Sequence, residues 1–164
     1  YIYRVSPQGD ASIIYQDTDK TIPMGEFGFN GIVYNNEGDY LIVAQSNTKQ
    51  LFKLNLGDDN NLTDPLQEIS IDQELPNSPD GLELEDDDQL VVVANADGKV
   101  VLLEGGEDFA TATVQSIFTT PEGVFPTTAA QRNDEIYVLY AYLGKLFMGD
   151  ASQANFPIQR VDFE

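Results

Sequence analysis

Asn30-Gly31-Ile32, then Tyr40-Leu41-Ile42-Val43-Ala44, then Gln50-Leu51-Phe52-Lys53-Leu54 form a unit that the chain repeats. The unit returns as Asp80-Gly81-Leu82, Leu90-Val91-Val92-Val93-Ala94 and Lys99-Val100-Val101-Leu102-Leu103. A fainter third copy runs from Pro126-Thr127-Thr128 through Ile136-Tyr137-Val138-Leu139 to Gly144-Lys145-Leu146-Phe147. A period of roughly 45–50 residues with several short strands in each unit marks the blade of a β-propeller. It also gives Asn30 and Asp80 the same place in neighbouring blades, at the start of the strands that line the central channel.

The remaining segments fill in around these units. Tyr1-Ile2-Tyr3-Arg4-Val5, the turn Ser6-Pro7-Gln8-Gly9-Asp10 and Ala11-Ser12-Ile13-Ile14-Tyr15 read as a hairpin, the outer half of a blade. Full units are expected over about 29–71, 79–118 and 125–163. Each has an inner strand, an apolar second strand buried on both faces, a third strand and an outer strand. Outer strands are expected near 67–71 and 158–163, and a third-unit strand at 145–148. Gly105 to Val114 has room for one turn of helix. The expected fold is all-β, about three and a half four-stranded blades of a six-bladed propeller in a single unit over 1–164. Closed propellers have four to eight blades, and a blade cannot bury its face without a neighbour. The ring is therefore expected to be completed by further N-terminal blades or by another chain.

Composition narrows the chemistry. The 164 residues carry 8 basic and 28 acidic side chains, a net charge of −20. That balance disfavours nucleic acid and anionic membrane surfaces, which need basic patches, and suits cations. With neither Cys nor His, disulfides, Ser-His-Asp and Cys-His catalysis are excluded within the chain and zinc is disfavoured. A metal here would have oxygen ligands, which suits calcium or magnesium. The compartment stays open. Asn61-Leu62-Thr63 matches a glycosylation sequon, a pattern that arises readily by chance.

Asn30 and Asp80 would bring a carboxamide oxygen and a carboxylate to one mouth of the channel. Each is followed by Gly, and Asn-Gly and Asp-Gly are also common turn dipeptides, so both readings stand. Phe29-Asn30-Gly31-Ile32 before Leu41-Ile42-Val43-Ala44, and Ser78-Pro79-Asp80-Gly81-Leu82 before Val92-Val93-Ala94-Asn95, resemble the senescence-marker-protein and gluconolactonase family. The resemblance implies a six-bladed propeller with a calcium or other divalent ion in its channel, hydrolysing lactones and other small esters. It makes Asn30 and Asp80 metal ligands and gives Asp80 a catalytic role. It also implies that this chain corresponds to the C-terminal half, carrying half of the metal site. Strictosidine-synthase-like proteins share the blade pattern.

Thr127 or Thr128 holds the equivalent place in the third unit and could orient substrate, although strand Thr is common for packing. Phe27, Phe29 and Phe125 precede inner strands, where they would wall the channel mouth, with Phe29 touching substrate, or pack between blades. Asp58-Asp59-Asn60-Asn61 with Asp64 has the flavour of a calcium loop but lacks the glycine and distal glutamate of an EF-hand. Asp86-Asp87-Asp88 reads as a solvated turn. The function expected is calcium-dependent hydrolysis of a lactone or small ester. The alternatives are a non-catalytic binding module, a strictosidine-synthase-like protein and an inactive fragment.

Overall fold

The structure, a computed structural model, describes residues 1–16, 22–57, 62 and 65–163. The chain opens with the hairpin β1 (Ile2–Val5) and β2 (Ala11–Tyr15). Next comes an antiparallel blade of β3 (Phe29–Asn35), β4 (Tyr40–Gln45), β5 (Gln50–Asn55) and β6 (Gln67–Glu68) in sequence order. A five-stranded sheet follows. In it β7 (Ser70–Ile71) lies outside the antiparallel run β8 (Pro79–Asp86), β9 (Gln89–Ala94), β10 (Lys99–Gly105) and β11 (Thr111–Thr119). The last sheet holds β12 (Pro126–Arg132), β13 (Glu135–Tyr140) and, after the short helix α1 (Leu143–Phe147), β14 (Ile158–Val161). Consecutive antiparallel sheets, each led by an inner strand, make this part of a β-propeller.

Local chemistry accounts for the elements. The second strands are β-branched and aliphatic, and Leu90 to Ala94 are all fully buried. Alternation sends their side chains into two different seams. Leu90 and Val92 join Ile42, Leu51 and Phe109 between the first two full blades. Val91 and Val93 join Ala129, Ile136 and Val138 on the other side. A third cluster, Ile2, Val43 and Leu54, seats the hairpin on the first full blade. Asn133 and Asp134 link β12 to β13 with φ of 52° and 58°, the left-handed pair that a tight two-residue hairpin requires.

Three expectations are corrected. The outer strand expected at 67–71 is two strands. Gln67 and Glu68 pair with β5, whereas Ser70 and Ile71 cross to the next blade and pair in parallel with Thr111 and Ala112 of β11. One short segment thereby stitches two blades. The strand expected at 145–148 is instead α1. Leu143, Leu146 and Phe147 fall at helical spacing, and Phe147 packs edge-on to Phe125 at 5.9 Å. The third-strand place belongs to β14, paired with Ile136 to Leu139. It ends at Val161 rather than 163. The helical turn foreseen within 105–114 is a 3₁₀ turn at Glu107–Phe109.

Inner strands also meet across blades. Asn35 Nδ2 of β3 donates to the Asp87 carbonyl at 2.8 Å. The Gln131 amide of β12 donates to the Glu83 carboxylate of β8 at 2.9 Å.

Candidate functional site

The three inner strands begin in the same irregular way. Phe29 pairs with Gln45 and Ile32 with Val43. Pro79 pairs with Ala94 and Leu82 with Val92. Pro126 pairs with Tyr140 and Ala129 with Val138. In each case three steps along the inner strand face two along its neighbour, which is a β-bulge. The bulged residues are Asn30-Gly31, Asp80-Gly81 and Thr127-Thr128. The structure thus aligns Asn30, Asp80 and Thr127, and sets Thr128 level with the glycines.

The glycines follow from close approach, not from turn conformation. Neither Gly31 nor Gly81 has a left-handed φ. A Cβ on Gly31 would lie 2.0 Å from the Asp80 carbonyl oxygen, and one on Gly81 would lie 2.6 Å from that of Thr127. Adjacent inner strands pass backbone against backbone at this level. That proximity brings the Asn30 and Asp80 side chains together.

Asp80 is half-buried and its carboxylate accepts hydrogen bonds from the side chains of both Asn95, at 2.7 Å, and Asn30. Burial pushes its carboxyl above the ordinary 3.8, while the two amides pull it back toward the charged form. Asn30, which is exposed, also directs Nδ2 to Ser46 Oγ at 3.3 Å. The buried Ser46 hydroxyl in turn donates to the Pro79 carbonyl at 2.6 Å. The pair is therefore held by a network that spans two blades.

Ser46 and Asn95 were not foreseen as site residues. Both sit just beyond a second strand, and the matching backbone bonds Ser46 N to Gly28 O, Asn95 N to Ser78 O and Ala141 N to Phe125 O show their equivalence. Ser46 serves Asn30 and Asn95 serves Asp80. The third blade has Ala141 there, so Thr127 lacks the corresponding polar support. Ser78 and Phe125, each before the proline that opens an inner strand, have φ of 61° and 49°, a strained conformation that clusters at functional sites.

Phe29 packs edge-on between Tyr15 at 5.8 Å and Phe52 at 6.3 Å, in the seam under the hairpin. Phe27 is exposed. Phe125, with Asn95, Thr120 and Asp97, borders a cleft of about 470 Å³ beside the Asp80 pair. The loop Asp58-Asp59-Asn60-Asn61 with Asp64 lies outside the described residues, as do Asn61 and Thr63 of the sequon.

A metal at this mouth would find hard oxygen donors in Asp80 and the Asn30 carboxamide, the donor type that calcium and magnesium prefer. These two fill only part of a sphere of about six to eight. Among the described residues no group of three or more acidic side chains is placed to hold a metal. The residues present fit a minor part of such a site.

No protein-family model matches the chain, and no curated protein does. Solved structures do. The chain is similar to the Malassezia sympodialis allergen Mala s 1 (TM-score 0.70, 13% identity, 98% of this chain and 48% of that one). It is also similar to a luciferin-regenerating enzyme (0.66, 13%, 85% and 43%) and to a putative 6-phosphogluconolactonase from Bacteroides uniformis (0.52, 9%, 99% and 51%). At such identities the likeness establishes the propeller fold. The chain spans about half the length of these structures.

Proposed function

We propose that the Asn30–Asp80 mouth belongs to a divalent-metal-dependent hydrolase acting on lactones or small esters, with calcium as the preferred ion and magnesium as the substitute. The observation that carries this reading is the side-chain pair itself. A carboxamide and a carboxylate sit at equivalent bulges of adjacent inner strands, the amide donating to the carboxylate, and each has a supporting partner just beyond a second strand. Lactonase-like propellers among the structural neighbours are compatible with it.

Asn30 and Asp80 would hold the ion, with the amide of Asn30 turned so that its oxygen faces inward. The ion would supply Lewis-acid polarisation of the substrate carbonyl. Asp80 would take a proton from the attacking water, or attack as a nucleophile. Asn95 would fix the carboxylate's orientation, and Thr127 would hydrogen-bond substrate from the neighbouring blade. The cleft beside Asn95 would admit the rest of a small ester. Phe29, packed in the hairpin seam, would bound the mouth more than contact the reacting group.

Calorimetric calcium titration of the chain, followed by lactone and aryl-ester assays with and without chelator, tests the proposal. One saturable site lost in Asp80→Ala, with turnover abolished by chelation, is the expected result. Turnover that survives both chelation and Asp80→Asn would end the hydrolase reading. The rival reading, a non-catalytic binding module, draws on the presence of only two protein donors at the mouth among the described residues. It would be supported by thermal stabilisation with small esters in the absence of turnover.

A further inference from the structure

The second and third strands of each blade are joined at the mouth end. The connection takes four residues in the first full blade (46–49), four in the second (95–98) and seventeen in the last (141–157). All three start at the same place, since Ser46, Asn95 and Ala141 make equivalent backbone bonds at the head of the inner strands. The long connection is therefore an excursion of the last blade beside the mouth. In a chain with 28 acidic residues it carries one, Asp150, and one basic residue, Lys145, among Leu143, Leu146, Phe147, Met148 and Phe156.

Those apolar side chains are not spent on packing. No residue of α1 is buried, and Leu146, Phe147, Met148 and Phe156 are each more than half exposed. Clustered exposed apolar groups mark a binding surface. This one is continuous with the cleft beside Asp80 through Phe125. Phe125 lines that cleft together with Asn95, the partner of the Asp80 carboxylate. The same ring meets Phe147 edge-on at 5.9 Å, and a Cβ on Gly144 would lie 3.9 Å from its Cδ2. The amides of Ala141 and Tyr142 donate to the carbonyls of Phe125 and Val124 at 3.1 and 2.8 Å, which fixes the root of the excursion against this ring.

Charge in the cleft limits what the rest of the ligand can be. Asp97 and Glu122 border it, and among the described residues of its lining none is basic. Hydrogen bonds from the Asn77 amide and side chain hold the Asp97 carboxyl below its ordinary range, so it stays charged. The excursion's one ammonium, Lys145, is engaged by Gln153 at 2.7 Å. A phosphate or carboxylate would meet repulsion there, whereas a neutral group would not.

We infer that Phe125, Leu146, Phe147 and Met148 form a subsite for the aliphatic chain of a neutral lactone or ester, resting on the hydrolase reading of the Asn30–Asp80 mouth. The ester group lies at Asp80 and Asn95, and the chain runs across the Phe125 ring onto α1. Met148, unbranched and adaptable, accommodates chains of different length.

Calorimetry on the full chain with saturating calcium tests this, with γ-hexalactone, γ-octalactone, γ-decalactone and decanoate as ligands. Lactone affinity should rise roughly two- to fourfold per methylene until the patch is covered. Decanoate should bind more weakly than γ-decalactone. Leu146→Ser combined with Phe147→Ser replaces two exposed side chains, so the variant should fold, and it should weaken γ-decalactone roughly tenfold. No binding, affinity flat with chain length, affinity unchanged in the variant, or decanoate binding as tightly would each overturn the subsite. Flat lactone affinity together with binding to neutral phosphatidylcholine vesicles would overturn it by making the patch a lipid-surface contact. Acid release, followed separately, keeps the two readings apart. Chain-dependent binding without turnover would sustain the subsite and end the hydrolase reading. Chelator-sensitive turnover with flat affinity would do the reverse.

Discussion

Gly31→Ala separates the two readings of the Asn-Gly and Asp-Gly pairs, because they give opposite signs. Gly31 does not use a left-handed φ. If its role were conformational only, alanine would be accepted and would stabilise by about 0.4–1 kcal/mol through the unfolded chain. The geometry says otherwise. The new Cβ would meet Asp80 O at 2.0 Å, Leu82 Cγ at 2.9 Å and Leu82 N at 3.0 Å. The nearest atom is backbone and cannot swing aside. Reaching even 3.0 Å from it moves the strands apart by 3.0 − 2.0 = 1.0 Å. A gap of about 0.5–1 Å forfeits a quarter to a half of the dispersion well of each facing pair, and Leu82 belongs to the buried seam beside these strands. The expected loss is at the upper end of the overpacking range, about 3 kcal/mol. Urea unfolding, read at the midpoint with m unchanged, measures it. Gly123→Ala is the control: with φ of +78° and open space around it, only the left-handed penalty of about 1–2 kcal/mol should appear. A Gly31→Ala midpoint at or above wild type would refute the close-approach argument, and with it the reason Asn30 and Asp80 meet.

Asn95→Ala should shift the Asp80 carboxyl further up, since the lost amide favours the charged form; carboxyl-carbon NMR titration reads the shift, and an unmoved or lowered value contradicts it. Asp80 itself binds its proton more tightly folded than unfolded. The stability it contributes is therefore present at low pH and lost as pH rises from about 3.8 through the raised folded pKa. Asp80→Asn should remove that decline, so the variant gains on wild type across the window and holds a constant difference above it, as urea midpoints against pH would reveal. Tyr40→Phe should leave stability within about 0.5 kcal/mol, because the hydroxyl bonds no described residue; a loss of about 2 kcal/mol or more would mean that the phenol has a structural partner.

Blade architecture was legible because its signal is covalent and periodic. Leu90-Val91-Val92-Val93-Ala94 must be buried on both faces, and an unbroken apolar run between turn residues states this directly. The errors came where tertiary context decides among locally equal options. Gln67 to Ile71 has strand character throughout, but nothing in its composition says that Ser70 abandons β5 for the parallel edge of β11. Lys145 to Met148 reads as the repeat's third strand only by analogy with the other units. Leu143, Leu146 and Phe147 carry a helical spacing that outweighs the analogy, and Ile158 to Val161 supplies the missing ladder.

The site was half legible, for a geometric reason. Asn30 and Asp80 lie 50 positions apart (80 − 30) and the repeat aligns them, whereas their supports Ser46 and Asn95 lie 49 apart (95 − 46). The turn from β3 to β4 takes four residues, Asn36 to Asp39, while that from β8 to β9 has only Asp87 and Asp88. A second irregularity in β8, between Leu84 and Asp86, restores one of the two missing residues. The blades therefore run one residue out of step beyond the turn. Aligning the apolar runs by eye sets Ala44 against Ala94 and so Gln45 against Asn95. The ladder instead pairs Gln45 with Phe29 and Ala94 with Pro79, which makes Ser46 the counterpart of Asn95.

The bulge explains why this matters. An extra residue on the inner strand turns Asn30 and Asp80 out of the pleat toward each other, and the residue just past the second strand is then the nearest that can support each of them. In the third blade the same bulge carries Thr127 while the supporting place holds Ala141. A polar group there should add nothing to the fold yet bring Thr127 under the same control as the other two. Ala141→Asn should therefore leave the urea midpoint within about 0.5 kcal/mol, as for an uncongested surface change. If the mouth binds calcium, the variant should alter the affinity measured by calorimetry. A variant that unfolds would mean that position 141 faces the packed seam, and the equivalence of the three blades at this level would fail with it.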